Sequence, residues 1–112
     1  MSSAVVLPEV DEEVYEGDET REDEAKLYHV ILLNDEDHTY DYVIEMLMEL
    51  FGFDEDKAYE HTVEVDTKGH SRLTTLPLPE AERKRDQIHA YGADWRLPRS
   101  QGAMAALIEP AA

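Results

Sequence analysis

Tyr28-His29-Val30-Ile31-Leu32-Leu33-Asn34-Asp35-Glu36-Asp37-His38-Thr39 is the stretch on which the fold turns. Its first six residues make a compact, mostly apolar run rich in strand formers. The run stops at four turn-forming residues, so it reads as a buried strand followed by a turn. Thr39 has the hydroxyl an N-cap needs, at the head of a helix reaching about Phe51. Tyr40, Val43, Ile44, Leu47, Leu50 and Phe51 recur at three- and four-residue spacing and predict one buried stripe. Met46 and Met48 read as core or rim filler. Gly52 suits the left-handed conformation that closes a helix.

Working outward, Asp54 is a second N-cap, with Glu55 and Asp56 in the first turn where carboxylates complement the helix dipole. This helix carries Ala58, His61 or Thr62, and Val65 on one face and stops before Gly69. Arg72 to Leu76 reads as a second strand. Pro77 and Pro79 end it and start a third helix over about 79–91, with Ala81, Ile88 and Tyr91 inward and Glu80, Arg83, Lys84 and Gln87 outward. Gly92 closes that helix. After a loop with Pro98 and Gly102, Ala103 to Ile108 reads as a last strand. The order β-α-α-β-α-β predicts an α+β fold, a three-stranded sheet covered on one face by three helices. Periodicity leaves the strand order open.

Charge divides the chain of 112 residues, whose net charge is −17. Residues 1–26 hold Glu9, Asp11, Glu12, Glu13, Glu16, Asp18, Glu19, Glu22, Asp23 and Glu24 against Arg21 and Lys26 alone. Large apolar residues are few there, Leu7 and Tyr15 foremost, too few to offset the entropy of ordering. A disordered acidic tail is expected over 1–26 and a folded domain over 27–112. Cysteine is absent, which removes disulfides, thiolate metal sites and cysteine nucleophiles. The N-terminus lacks the basic flank and apolar run of a signal peptide, and no segment approaches a membrane span, so a cytoplasmic protein without membrane contact is expected. Nucleic acid needs a basic face, and the basic clusters are only Arg83-Lys84-Arg85 and the pair Arg96/Arg99.

Neither a glycine-rich phosphate loop, a nucleophile elbow nor a His-Glu-x-x-His motif is present. Asn34-Asp35-Glu36-Asp37-His38 is the one ionisable cluster that stands out. Adjacent positions rarely converge on one ion, and the alternating ligands of a calcium loop are missing, so the simpler reading is a turn with helix-capping carboxylates. Asp66 ends the second helix, where its charge opposes the dipole. His61, His70 and His89 are isolated. No cofactor or metal is expected.

Val30-Ile31-Leu32-Leu33-Asn34-Asp35-Glu36, followed by Tyr42-Val43-Ile44-Glu45-Met46-Leu47 and Phe51-Gly52, resembles the ClpS family, adaptors of the AAA+ Clp proteases. Asp54-Glu55-Asp56-Lys57-Ala58, Val65, Lys68-Gly69, Glu82 and Lys84 extend the resemblance. It runs from about residue 28 to 91 and less closely to 109. It implies that the three strands are antiparallel, and that the protein is an adaptor rather than an enzyme. Members bind the destabilising N-terminal residue of a substrate, an N-degron, and deliver the substrate to the N-terminal domain of ClpA or ClpC.

By residue-to-residue match, Asn34 and Asp35 would hold the substrate α-amine. Asp66 falls where the family has a third amine ligand, a histidine. The side-chain pocket would be Tyr40, Val43, Thr62, Val65 and Met104, with Tyr40 and Thr62 standing where the family has methionines. The family's Thr-Pro pair is replaced by His38-Thr39. Glu82 and Lys84, expected to be exposed on the third helix, match the face that docks on the ATPase. Two rivals remain: a paralogue that docks on the ATPase and regulates it, or presents other degrons, without reading a free amine; and a metal-dependent hydrolase using Asp35, Asp37, His38 and Asp66.

Overall fold

The computed structural model describes residues 26–112, so the tail expected over 1–26 lies outside the described residues but for Lys26. Strand β1 is Leu27–Leu33, helix α1 Tyr40–Phe51, helix α2 Glu55–Lys68, strand β2 His70–Pro77, helix α3 Leu78–His89 and strand β3 Ala106–Pro110. The expected element order holds. The sheet order is β2-β1-β3, with β1 antiparallel to both neighbours. The central position explains why β1 is the most apolar strand, since it is paired on both edges.

Register places the site. Leu33 pairs with His70 and Leu32 with Ala106, so the end of β1 lies beside the starts of both neighbours. Leu73 is an extra residue on β2, where the pairing slips between Val30 and Ile31, and this bulge lets it stay buried. Val30 and Leu32 turn their inner face to Tyr42, Val43, Met46 and Leu47 of α1, Ala58 and Val65 of α2, and Ala81 and Ile88 of α3. Each fully buried aliphatic side chain contributes about 1.5–3 kcal/mol relative to exposure.

The caps form as the sequence predicts. Thr39 accepts from the Tyr42 N–H and Asp54 from the Lys57 N–H. Gly52 and Gly69 close α1 and α2 with φ of 70° and 89°. Thr62, not His61, occupies the buried face of α2. His61 stacks on Phe53 and bonds Ser71 instead.

Four expectations shift. The buried stripe of α1 is Tyr42, Val43, Met46 and Leu47 rather than the set containing Tyr40, which is 39% exposed. Tyr42 can be buried because its hydroxyl donates to the Gly92 carbonyl at 2.6 Å. Helix α3 stops at His89, and Gly92, at φ 102°, sits in the turn beyond it. Strand β3 starts at Ala106 and runs to Pro110, because its ladder is set by the full length of β1, ending with Ala111 N–H on the Leu27 carbonyl. Lys84 is half-buried rather than exposed, since its ammonium donates to the Leu50 carbonyl at the end of α1 and lies 5.2 Å from the Phe51 ring centre. Among the described residues no helix is long and apolar enough to cross a membrane.

Candidate functional site

The turn after β1 is held at both ends. Asn34 donates its backbone N–H to the carbonyl of Gly69, the residue that caps α2, so the chain leaving β1 is pinned to the end of that helix. Asp35 then folds the turn on itself, its Oδ1 accepting from the Asp37 N–H at 3.0 Å and meeting His38 Nδ1 at 2.7 Å. This is the side-chain turn that an Asx residue makes readily.

Thr39 heads α1, and it is itself held from far away. Its N–H and hydroxyl donate to Asp94 Oδ2 at 2.6 and 2.8 Å. Asp94 Oδ1 accepts from the Arg96 backbone N–H at 3.0 Å and from its guanidinium at 3.2 Å. Burial pushes the Asp94 carboxyl up, but the donors from Thr39 and Arg96 outweigh it and hold the group at about 2. Arg96 also reaches Glu45 on α1 at 2.6 Å, and Arg99 pairs with Asp37 at 3.3 Å. Both arginines of the second basic cluster are thus spent in fastening the loop over 93–105 to the turn and to α1.

Between turn, α1, α2 and this loop lies a cleft of about 50 Å³ lined by Asn34, Asp35, His38, Tyr40, Val43, Thr62, Val65, Asp66 and Met104. All three residues expected at an amine and all five expected in a side-chain pocket therefore meet in one place. His38 is the addition. Val43, Thr62, Val65 and Met104 are buried and form the walls. The Thr62 hydroxyl donates to the Ala58 carbonyl at 2.7 Å, so it offers the cleft no spare donor. Tyr40 crosses the mouth, its hydroxyl donating to Asp66 Oδ2 at 2.6 Å. That bond, with burial and the Asp66 charge behind it, raises the Tyr40 phenol above its usual value.

The metal alternative finds a different arrangement. Among the described residues no three groups suited to a metal come together. Asp37 is turned to Arg99, and both ring nitrogens of His38 are already bonded. The expected docking residues stand apart from the cleft on α3, Glu82 exposed and Lys84 bound to Leu50.

Sequence reading missed Asp94. Its residue type is a capping type, but its partner is 55 residues earlier, and no local pattern signals such a pairing. It also left His38 as a metal candidate, when the ring is a fastening of the turn.

Comparison with known proteins adds kinship to geometry. The family model described as "ATP-dependent Clp protease adaptor protein ClpS" matches residues 23–98. The ClpS adapter of Nautilia profundicola is 39% identical over 73 residues, which are 65% of this chain and 75% of that protein. That of Aromatoleum aromaticum is 32% identical over 88 residues, 79% of this chain and 86% of that protein. Among solved structures, Agrobacterium tumefaciens ClpS2 bound to L-phenylalaninamide superposes with a TM-score of 0.66 at 25% identity, covering 76% of this chain and 96% of that one.

Proposed function

The chain belongs to the ClpS family of ATP-dependent Clp protease adaptors, and we propose that its cleft binds the N-terminal residue of substrate proteins for delivery to a Clp AAA+ ATPase of the ClpA or ClpC type. The observation that carries this reading is the convergence of Asn34, Asp35 and Asp66 with the apolar walls Val43, Val65 and Met104. An α-amino group has a pKa of about 7.7–8.0 and is largely protonated at neutral pH. It then offers three N–H donors and no acceptor. Carboxylate and amide oxygens are its complement, and charge-assisted bonds of this kind are the stronger ones. L-Phenylalaninamide, the ligand of the Agrobacterium relative, carries that ammonium beside an apolar side chain, as the first residue of a peptide does.

Tyr40 sets the terms of entry. Tyr40 lines the cleft and is bonded through its hydroxyl to Asp66 on the facing helix. In this reading a bulky first side chain enters as Tyr40 swings outward and gives up its bond to Asp66. The incoming ammonium then replaces the hydroxyl at Asp66, so part of the cost of opening is offset in the same step.

Residues 27–112 form the adaptor domain in this reading, working in the cytoplasm, and the acidic segment 1–26 is an element the ATPase can engage. Docking uses α3, where Glu82 is exposed; Lys84 contributes by leaving the Leu50 carbonyl. One observation favours the regulator that does not read amines: the Tyr40–Asp66 bond across the cleft. Calorimetric titration with L-phenylalaninamide and its N-acetyl derivative separates the two. Saturable binding of the free amine alone supports the adaptor, and binding of neither supports the regulator.

A further inference from the structure

We propose that His38 is a positioning residue for amine binding, clamping the Asp35 carboxylate to the Gly102 carbonyl and so joining the amine site to the loop that carries Met104. The inference rests on the reading above, in which Asp35 receives the amine. Its geometry stands independently.

The His38 side chain is only 4% exposed. Its ring lies 4.5 Å from the ring of Tyr42, which is fixed through its own hydroxyl to Gly92. Nδ1 is 2.7 Å from Asp35 Oδ1 and Nε2 is 2.7 Å from the Gly102 carbonyl oxygen. A carboxylate and a carbonyl can only accept, so making both bonds at once requires an N–H on each ring nitrogen. Oδ1 of Asp35 also takes the Asp37 N–H, so the turn's ties fall on one oxygen and leave Oδ2 for a ligand. Gly102 is two residues before Met104, a wall of the cleft. One ring therefore fixes both the carboxylate that meets the amine and the segment that shapes the side-chain pocket.

The charged and titratable groups around the ring come from every neighbouring element. Tyr42 on α1 is neutral, its phenol pushed up to about 12 mainly by burial. Tyr40 and, on α2, Asp66 share the cleft. Asp94 holds the adjacent Thr39, and Asp37 is paired with Arg99. None of these is bonded to the ring, whose polar partners are Asp35 and Gly102 alone among the described residues.

Three proteins test the clamp: the parent, His38→Asn, whose amide can replace the Nδ1 donor, and His38→Phe, which keeps a ring beside Tyr42 and neither donor. Both variants are neutral, so comparing them removes the ring's charge from the question. His38→Asn should bind L-phenylalaninamide about tenfold more tightly than His38→Phe, the loss expected for one hydrogen bond to a charged group. Equal affinities, or tighter binding by His38→Phe, overturn the proposal. In the free parent, ring ¹⁵N shifts should report two donating nitrogens, Nδ1 toward Asp35 and Nε2 toward Gly102. A ring nitrogen that does not donate overturns it as well. This second measurement needs no ligand and no variant. A parent that fails to bind the amine thus counts against the functional reading, while the ring measurement still decides the clamp.

Discussion

Removing the Asp94 carboxylate should unfasten the start of α1. Asp94→Ala deletes the acceptor of two bonds from Thr39, at 2.6 and 2.8 Å, and of two from Arg96, at 3.0 and 3.2 Å. Arg96 retains Glu45 at 2.6 Å, so the loss concentrates on Thr39, whose N–H and hydroxyl are left without that partner. A hydrogen bond to a charged group contributes about 1.5–3 kcal/mol, and loss of helix capping costs about 0.5–2 kcal/mol. Relief of the buried carboxylate's desolvation works the other way, so a net cost of about 3 kcal/mol is reasonable. In a domain of this size that lowers the thermal midpoint by roughly 12–24 °C. Asp94→Asn keeps an acceptor oxygen for Thr39 and should lose about half as much. The acid dependence has a definite sign. The native carboxyl sits at about 2 against an ordinary 3.8, so its contribution is complete above that value and is lost as the pH falls toward 2. The gap between parent and Asp94→Ala should therefore narrow on acidification. Circular dichroism melts at about pH 7 and pH 3 measure it. A midpoint within a couple of degrees of the parent at neutral pH, or a gap that widens in acid, refutes the reasoning.

Tyr40→Phe removes the hydroxyl that competes for Asp66 and should tighten binding of free-amine peptides by about threefold to tenfold in calorimetry, with little change in midpoint; weaker binding would mean that the hydroxyl helps hold the ligand. Gly69→Ala forces a side chain onto a φ of 89° and should cost about 1–2 kcal/mol in denaturant melts. It should also weaken peptide binding, because the Gly69 carbonyl holds Asn34. Glu82→Lys should weaken association with the Clp ATPase N-domain in a pull-down or titration and leave peptide affinity within about twofold, as the two surfaces sit on different elements.

Local rules made β1, α1 and α2 readable. Thr39, Gly52, Asp54 and Gly69 each act within a few residues of their own position, so the sequence around them suffices. The face of α1 was less accessible. Val43 and Leu47 belong to both candidate stripes, and the choice between Tyr40 and Tyr42 rests on where each hydroxyl finds a partner, Asp66 or Gly92. Those partners are distant in sequence. The start of β3 is likewise fixed by β1 across the ladder, and Ala103-Met104 reads as strand although Met104 lines the cleft. Kinship pointed to the cleft residues, whereas Asp94 and the bridging geometry of His38 required the tertiary structure.

The central claim is that a free α-amine is held beside Asn34, Asp35 and Asp66 with the first side chain in the pocket. The direct test is an affinity panel of short peptides differing only in the first residue, each free and N-acetylated, on the parent and on Asp35→Asn. The account predicts that binding depends on the first residue, disappears on acetylation and falls at least tenfold in Asp35→Asn, the loss of one charge–charge contact. Acetylated peptides that bind as well as free ones, or an Asp35→Asn protein that binds as the parent does, would contradict it.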